Sequence, residues 1–218
     1  MTDLAVSSMN NNDDLTVIID TGCANLNSVR FAFERLNANI KVTDDFDVIR
    51  SAARVVLPGV GTAGAAMAGL QHKGLVDLIC SLTQPVMGVC LGMQMLASVS
   101  NEHGGRDSKA INCLGIVPTD IGDLDSKGLP LPHMGWNQIN VSDHPLFEGI
   151  EDGSYVYFVH GYRAPISEYT LASCTYGENF SAAIGKGNFF GVQFHPEKSA
   201  AVGAKILQKL GFEFSIKR

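Results

Sequence analysis

Gly88-Val89-Cys90-Leu91-Gly92 lies between a short apolar run and a helical pattern, so a cysteine occupies the middle of a G-x-nucleophile-x-G turn. A nucleophile at the tip of a strand-to-helix turn is held in strained backbone. Its neighbours must be small so that adjacent chain can pass. The turn aims the thiol at a helix N-terminus, whose partial positive charge favours thiolate. It also sets the N–H of Leu91 where an oxyanion would develop. Cys80, Cys113 and Cys174 have no such context and take the packing role usual for free cysteine; Cys23 takes it with less support.

A thiolate nucleophile needs a proton carrier, and six histidines are present: His72, His103, His133, His144, His160 and His195. His195 stands out in Gly191-Val-Gln-Phe-His195-Pro-Glu197, at the end of a strand pattern. Residues two apart in extended chain share a face, so Glu197 can orient the imidazole and support its charged form, as the third member of a triad does. Pro58-Gly59-Val60-Gly61-Thr62-Ala63-Gly64 adds a glycine-rich loop containing G-x-G-x-x-G. It follows the third strand pattern, Pro58 interrupts it, and the next strand ends in Cys90 where a ribose-binding acid would be expected. The loop therefore reads as a source of backbone N–H groups for an oxyanion near Cys90 rather than as a dinucleotide site.

The elements that must hold these groups are an alternation. Leu15–Asp20, Ile40–Thr43, Arg54–Pro58 and Val86–Val89 read as strands. Asn25–Asn37, Leu75–Leu82 and a segment carrying Leu91, Met95, Leu96 and Val99 read as helices. Beyond about residue 115 strands dominate: Trp136–Val141, Ser154–Val159, Thr170–Cys174, Ser181–Ile184 and Phe189–Phe194. A last helix runs from a Ser199 cap to Leu210, stopped by Gly211. The expected fold is α/β: one domain over 15–218, with a mostly parallel central sheet flanked by helices and an antiparallel extension. Residues 1–14 read as a loose polar extension.

The composition narrows the function. The 218 residues carry a net charge of −6 and show no basic block, which argues against nucleic-acid binding. No apolar run approaches a membrane span, and the first residues lack a secretory signal. Five cysteines without a CxxC spacing argue against a disulfide framework and a structural zinc site. A cytoplasmic enzyme without metal or cofactor is the expectation.

Cys90 in Gly-Val-Cys-Leu-Gly-Met-Gln94, followed by Gln193-Phe-His-Pro-Glu-Lys-Ser199, resembles the class I (triad) glutamine amidotransferases. Asp20–Ser28, Leu57–Gly61, Pro132-His-Met-Gly-Trp-Asn137 and Tyr157-Phe-Val-His-Gly-Tyr162 extend the resemblance from about Leu15 to Leu210. The small departures are Gly161, where the family commonly has Ser, and Ala24, where many members have Gly. The resemblance implies hydrolysis of L-glutamine through Cys90, His195 and Glu197. It implies an oxyanion hole from Leu91 with Val60 or Gly61, and substrate positioning by Gly59, Gln94, His160, Gly161 and Tyr162. It also implies that the ammonia is accepted by a separate (β/α)8-barrel cyclase subunit, docked near Asn25, Trp136 and Lys198. Tyr157 and Phe158 read as core. Ammonia released into neutral water would be protonated and lose its nucleophilicity, so a dry transfer between subunits fits the chemistry.

Overall fold

The computed structural model describes residues 14–22, 26–102 and 110–210. Its elements in chain order begin with β1 (Thr16–Ile19), α1 (Leu26–Arg35), β2 (Ile40–Thr43), α2 (Phe46–Ser51), β3 (Arg54–Gly59), α3 (Ala63–His72), α4 (Leu75–Cys80), β4 (Val86–Cys90) and α5 (Leu91–Met95). Then follow β5 (Val99–Ser100), β6 (Ile111–Asn112), β7 (Asp120–Asp123), β8 (His133–Val141), β9 (Ser154–His160), β10 (Tyr162–Arg163), β11 (Thr170–Tyr176), β12 (Glu178–Lys186), β13 (Phe189–Val192) and α6 (Ala200–Gln208).

Nine strands form one sheet in the order β2-β1-β3-β4-β13-β12-β11-β8-β9. From β2 to β13 the neighbours are parallel; from β13 to β9 they are antiparallel. The expected α/β architecture is therefore present, with the antiparallel extension continuing the same sheet. A second small sheet joins β10, β7, β5 and β6.

The parallel strands are apolar on both faces because helices cover both. Along β1, Val17 and Ile19 enter a core shared with Ile49, Leu70 and Leu75, while Ile18 enters the opposite one with Phe33, Met87 and Ile206. This is the period-two alternation of a strand. Each such fully buried aliphatic or Phe side chain stabilises by about 1.5–3 kcal/mol.

Two expected features differ. The helix after Cys90 ends at Met95, and Val99 begins a strand. The carbonyls of Met95, Leu96 and Ala97, which would continue the helix, instead accept the N–H groups of Leu114, Val117 and Gly115 at 2.9, 2.9 and 2.8 Å. Ser199 does not cap α6 with its side chain. Its hydroxyl is fully buried and bonds the chain around His195 instead. The expected Gly211 stop lies outside the described residues, as does the extension before residue 14. Asn37, at φ +56, ends α1 by turning left-handed after Leu36.

Candidate functional site

Register explains how residues a hundred positions apart meet. β3 and β4 pair so that Gly59 lies opposite Cys90, and β13 pairs with β4 so that Val192 lies opposite Val89. Gln193, Phe194 and His195 then run past the carboxyl edge of the parallel strands, where open α/β sheets place ligands.

Cys90 stands at φ +54, ψ −113, outside the ordinary basins for a residue with a side chain. The glycines around it are sterically required. A Cβ on Gly92 would lie 1.9 Å from the Leu57 carbonyl oxygen, and one on Gly88 would lie 2.5 Å from the Gly92 oxygen. A Cβ on Gly59 would lie 2.4 Å from the Gly92 nitrogen. The glycine-rich loop is thus packed directly on the turn that carries Cys90. Its next glycine, Gly61, has φ +91 and open space on its Cβ side.

His195 Nδ1 lies 2.9 Å from Glu197 Oε1. Nε2 is the nitrogen left to face the sulfur, and Cys90 is near enough to favour the charged ring. Burial alone would lower the His195 pKa. The neighbouring Cys90 and the hydrogen-bonded Glu197 together outweigh it and raise the value to about 10. Ser199 fixes the histidine's backbone: its hydroxyl donates to the His195 carbonyl at 2.7 Å and accepts the Tyr157 N–H at 2.9 Å. The His195 N–H in turn donates to the Tyr157 carbonyl at 2.8 Å.

A raised histidine pKa has a definite stability signature. The His195 contribution is complete below the unfolded value of about 6.5 and is lost as pH rises through about 10. Denaturation midpoints of the native chain and of His195→Asn should therefore be furthest apart near pH 6 and converge toward pH 10. A gap that stays constant or widens with pH would show that the imidazole is not held as a cation.

The remaining candidate residues divide. Gln94 is buried, and its Nε2 donates to Gln193 Oε1 at 2.9 Å and, at a longer 3.5 Å, to the Tyr162 carbonyl. Gln193 Nε2 reaches back to Cys90 Sγ at 3.8 Å. Sequence reasoning does not single out Gln193, although it shares His195's strand face by the same two-residue spacing that selects Glu197. It also misses Glu102. The Glu102 Oε2 accepts the Ala63 N–H at 3.1 Å, tying down the helix that follows the glycine loop, and burial raises its pKa. No motif announces that contact.

His160 does not offer its ring to a substrate. Nδ1 lies 2.8 Å from the Tyr162 carbonyl and Nε2 lies 2.9 Å from His133 Nδ1, so both nitrogens are engaged within the protein. Burial holds the two rings neutral, pushing His133 down to about 4 and His160 to about 3. Gly161 and Tyr162 follow directly, where β9 gives way to β10.

Phe158 is buried core, as read from the sequence, but Tyr157 is half-buried and faces outward. The Trp136 ring meets it edge-on at 6.0 Å, and Lys198 Nζ lies 5.9 Å above it. Trp136 is itself 52% exposed. Asn25 and Cys23 lie outside the described residues. Of the cysteines assigned to packing, Cys174 is buried and Cys113 half-buried, with thiols pushed by burial up to about 12 and about 11. Cys80 is exposed, its sulfur 3.7 Å from the Leu114 carbonyl, so the packing assignment does not hold there.

A cavity of about 20 Å³, room for one water, borders His195 and Glu197 and is walled by Thr21, Pro58, Gly59 and Val60. Cys90 does not line it. A much larger cleft, about 790 Å³, runs along Val141–Asp152 and shares no residue with the Cys90 site. Among the described residues no cluster of His, Cys, Asp or Glu is arranged to hold a metal ion, and no helix is long and apolar enough to cross a membrane.

A family model described as glutamine amidotransferase class-I matches residues 17–213. The imidazole glycerol phosphate synthase subunit HisH of Shewanella sediminis (strain HAW-EB3) is 68% identical over 199 residues, covering 91% of this chain and 91% of that one. The protein of the same name from Colwellia psychrerythraea (strain 34H) is 52% identical, covering 88% and 90%. Among solved structures, a glutamine amidotransferase superposes with a TM-score of 0.66 at 15% identity, covering 89% of this chain and 98% of that one. At that identity it speaks to the fold alone.

Proposed function

This chain belongs to the class-I glutamine amidotransferase family, and we infer from that membership, from the names of its curated relatives and from the geometry at Cys90 that it is the glutaminase subunit of imidazole glycerol phosphate synthase. It hydrolyses glutamine to glutamate and ammonia. The observation that carries this reading is the strained Cys90, wedged between two required glycines and near an imidazole that Glu197 holds.

The chemistry follows from those positions. Cys90 Sγ bonds to the side-chain carbonyl carbon of glutamine, and the π electrons move onto oxygen. The N–H of Leu91, with that of Val60 or Gly61, receives the negative charge. As the tetrahedral intermediate collapses, the carbon–nitrogen bond breaks and His195 gives its proton to the departing ammonia. Water then attacks the thioester, His195 takes its proton, and the thiolate leaves. Gln94, Gly59, Gly161 and Tyr162 border the substrate; His160 acts from behind, through the Tyr162 carbonyl.

The ammonia passes to a separate (β/α)8-barrel cyclase subunit, which uses it on a phosphoribulosyl substrate to form imidazole glycerol phosphate. The surface that supports this lies on β8, β9 and the chain entering them. Leu129, Leu131, Met134, Trp136 and Tyr155 are all large apolar side chains left exposed. β8 and β9 align Met134 with Val159 and Trp136 with Tyr157. The Val159 carbonyl is 3.9 Å from Cys90 Sγ, so this apolar face begins beside the nucleophile. Lys198, over the Tyr157 ring, borders it.

The test is to combine the purified chain with the cyclase barrel of the histidine pathway and measure glutamate release and product formation. The complex should consume glutamine and form product. The chain alone should turn over glutamine at a small fraction of that rate, because partner binding is what completes the oxyanion loop. Absence of glutamate release in the complex would refute the glutaminase reading. Equal rates with and without the partner would refute the coupling.

A further inference from the structure

The half-buried Cys90 sulfur makes two polar contacts besides the imidazole, and they act on its proton in opposite senses. The Val159 carbonyl oxygen, 3.9 Å away, accepts the S–H and so favours the thiol. Gln193 Nε2, 3.8 Å away, donates to the sulfur. When the sulfur ionises, the first contact loses its proton. The second becomes charge-assisted, and such bonds are roughly twice as strong as neutral ones.

The neighbours of Gln193 dictate which end of its amide meets the sulfur. Gln94 Nε2 lies 3.5 Å from the Tyr162 carbonyl oxygen and 2.9 Å from the Gln193 amide. A carbonyl only accepts, so Gln94 turns its nitrogen to that side. The Gln193 atom facing this nitrogen must then be its oxygen, and its own nitrogen is left for Cys90. Reversing both amides would set the Gln94 oxygen against the Tyr162 oxygen with no proton between them. The root of the Gln193 side chain is fixed as well. Its backbone N–H donates to the Ala182 carbonyl at 2.8 Å, and the residue is fully buried. Among the described residues, Cys90 is the only acceptor that Gln193 Nε2 has.

His195 supports the thiolate only while it holds its proton, and the reaction requires it to give that proton to ammonia. An amide N–H stays in place across the whole working pH range. Its support of the sulfur is therefore present at each step, including the one in which the thiolate leaves the thioester.

We propose that Gln193 is a further catalytic residue, a fixed amide donor to Cys90 Sγ that favours the thiolate before attack and as it departs. This rests on the glutaminase reading and deepens it.

The experiment follows the reaction of Cys90 in the full chain with a small neutral disulfide across pH, the modified residue being located by mass spectrometry of its peptide. Gln193→Met keeps the reach of the side chain and removes the N–H. The sulfur should then ionise less readily but attack more strongly once ionised, because nucleophilicity rises as acidity falls, with a Brønsted coefficient of about 0.5. For a tenfold loss of ionisation, the rate should fall about threefold on the acid limb and rise about threefold on the alkaline plateau. The native and variant profiles should therefore cross. A merely structural role for Gln193 changes both limbs by one factor, and profiles that do not cross would overturn the proposal. A second measurement needs no variant at this position. In nitrogen-15 NMR of the native chain, the Gln193 side-chain N–H signals should move through the pH range where Cys90 reactivity rises, one of the two protons more than the other. Signals that stay still would overturn the proposal equally. Neither readout uses glutamine, so a complex that failed to consume glutamine would refute the glutaminase reading separately from the contact between Gln193 and the sulfur.

Discussion

Cys90→Ala is expected to lower glutamine-dependent synthesis by the complex more than about 10⁴-fold, the scale seen when a covalent nucleophile is removed. Synthesis supplied with ammonia should continue, because the proposed division of labour puts that reaction on the partner subunit. The same substitution has a second consequence, readable in the imidazole. Burial is the largest influence on His195 and pulls its pKa down; Cys90 and Glu197 together pull it up to about 10. With the sulfur gone, burial is opposed by Glu197 alone, and the His195 pKa should fall. Proton NMR titration of the imidazole in the native chain and in the variant measures the difference. An unchanged His195 titration would mean that the sulfur and the ring are not paired, and a variant that still consumed glutamine would mean that the nucleophile lies elsewhere.

The parts of this site legible in the sequence are those where one local constraint dominates. The elbow is written in five consecutive residues because sterics demand glycine on both sides of Cys90. His195 and Glu197 are two apart on extended chain, so a carboxylate beside an imidazole can be read without knowing the fold. The β1 and β3 runs are legible because a strand buried on both faces needs Val, Ile and Leu throughout. What the sequence does not carry is set by tertiary competition. Nothing local ends α5 at Met95; the N–H groups of residues 114–117 capture its carbonyls. Ser199 has the residue type of a helix cap, yet its hydroxyl is claimed by His195 and Tyr157. His160 sits in the right motif for a substrate contact, but the pairing of β8 with β9 puts His133 opposite it, and the two rings satisfy each other. In each case a polar group with several chemically acceptable partners chooses one from a distant segment, and residue type alone does not say which.

Gly92→Ala should be the most damaging single-methyl change in the site. The added carbon would lie 1.9 Å from the Leu57 carbonyl oxygen and 2.9 Å from its carbonyl carbon, and these are backbone atoms of β3, a central strand. A flexible side chain could swing aside; this carbonyl cannot move without shifting the strand. Because β3 also carries Gly59 against the Gly92 nitrogen, any relief moves the glycine loop relative to Cys90. The expected cost is about 3 kcal/mol or more of stability, at the upper end for an overpacked core. Surviving protein should have lost most of its glutamine turnover, because a displacement near 1 Å at a catalytic group is enough to cost about 10²-fold. Gly161→Ser is the matched control for stability. Its Cβ would meet nothing within 4 Å and its φ is not left-handed, so the denaturation midpoint should shift by no more than about 0.5 kcal/mol equivalent. Denaturant unfolding of both variants, with glutaminase assays of Gly92→Ala in the complex, makes the comparison. Near-native stability for Gly92→Ala would mean that the elbow does not pack on β3 as described, and the steric account of why glycine flanks Cys90 would fall with it.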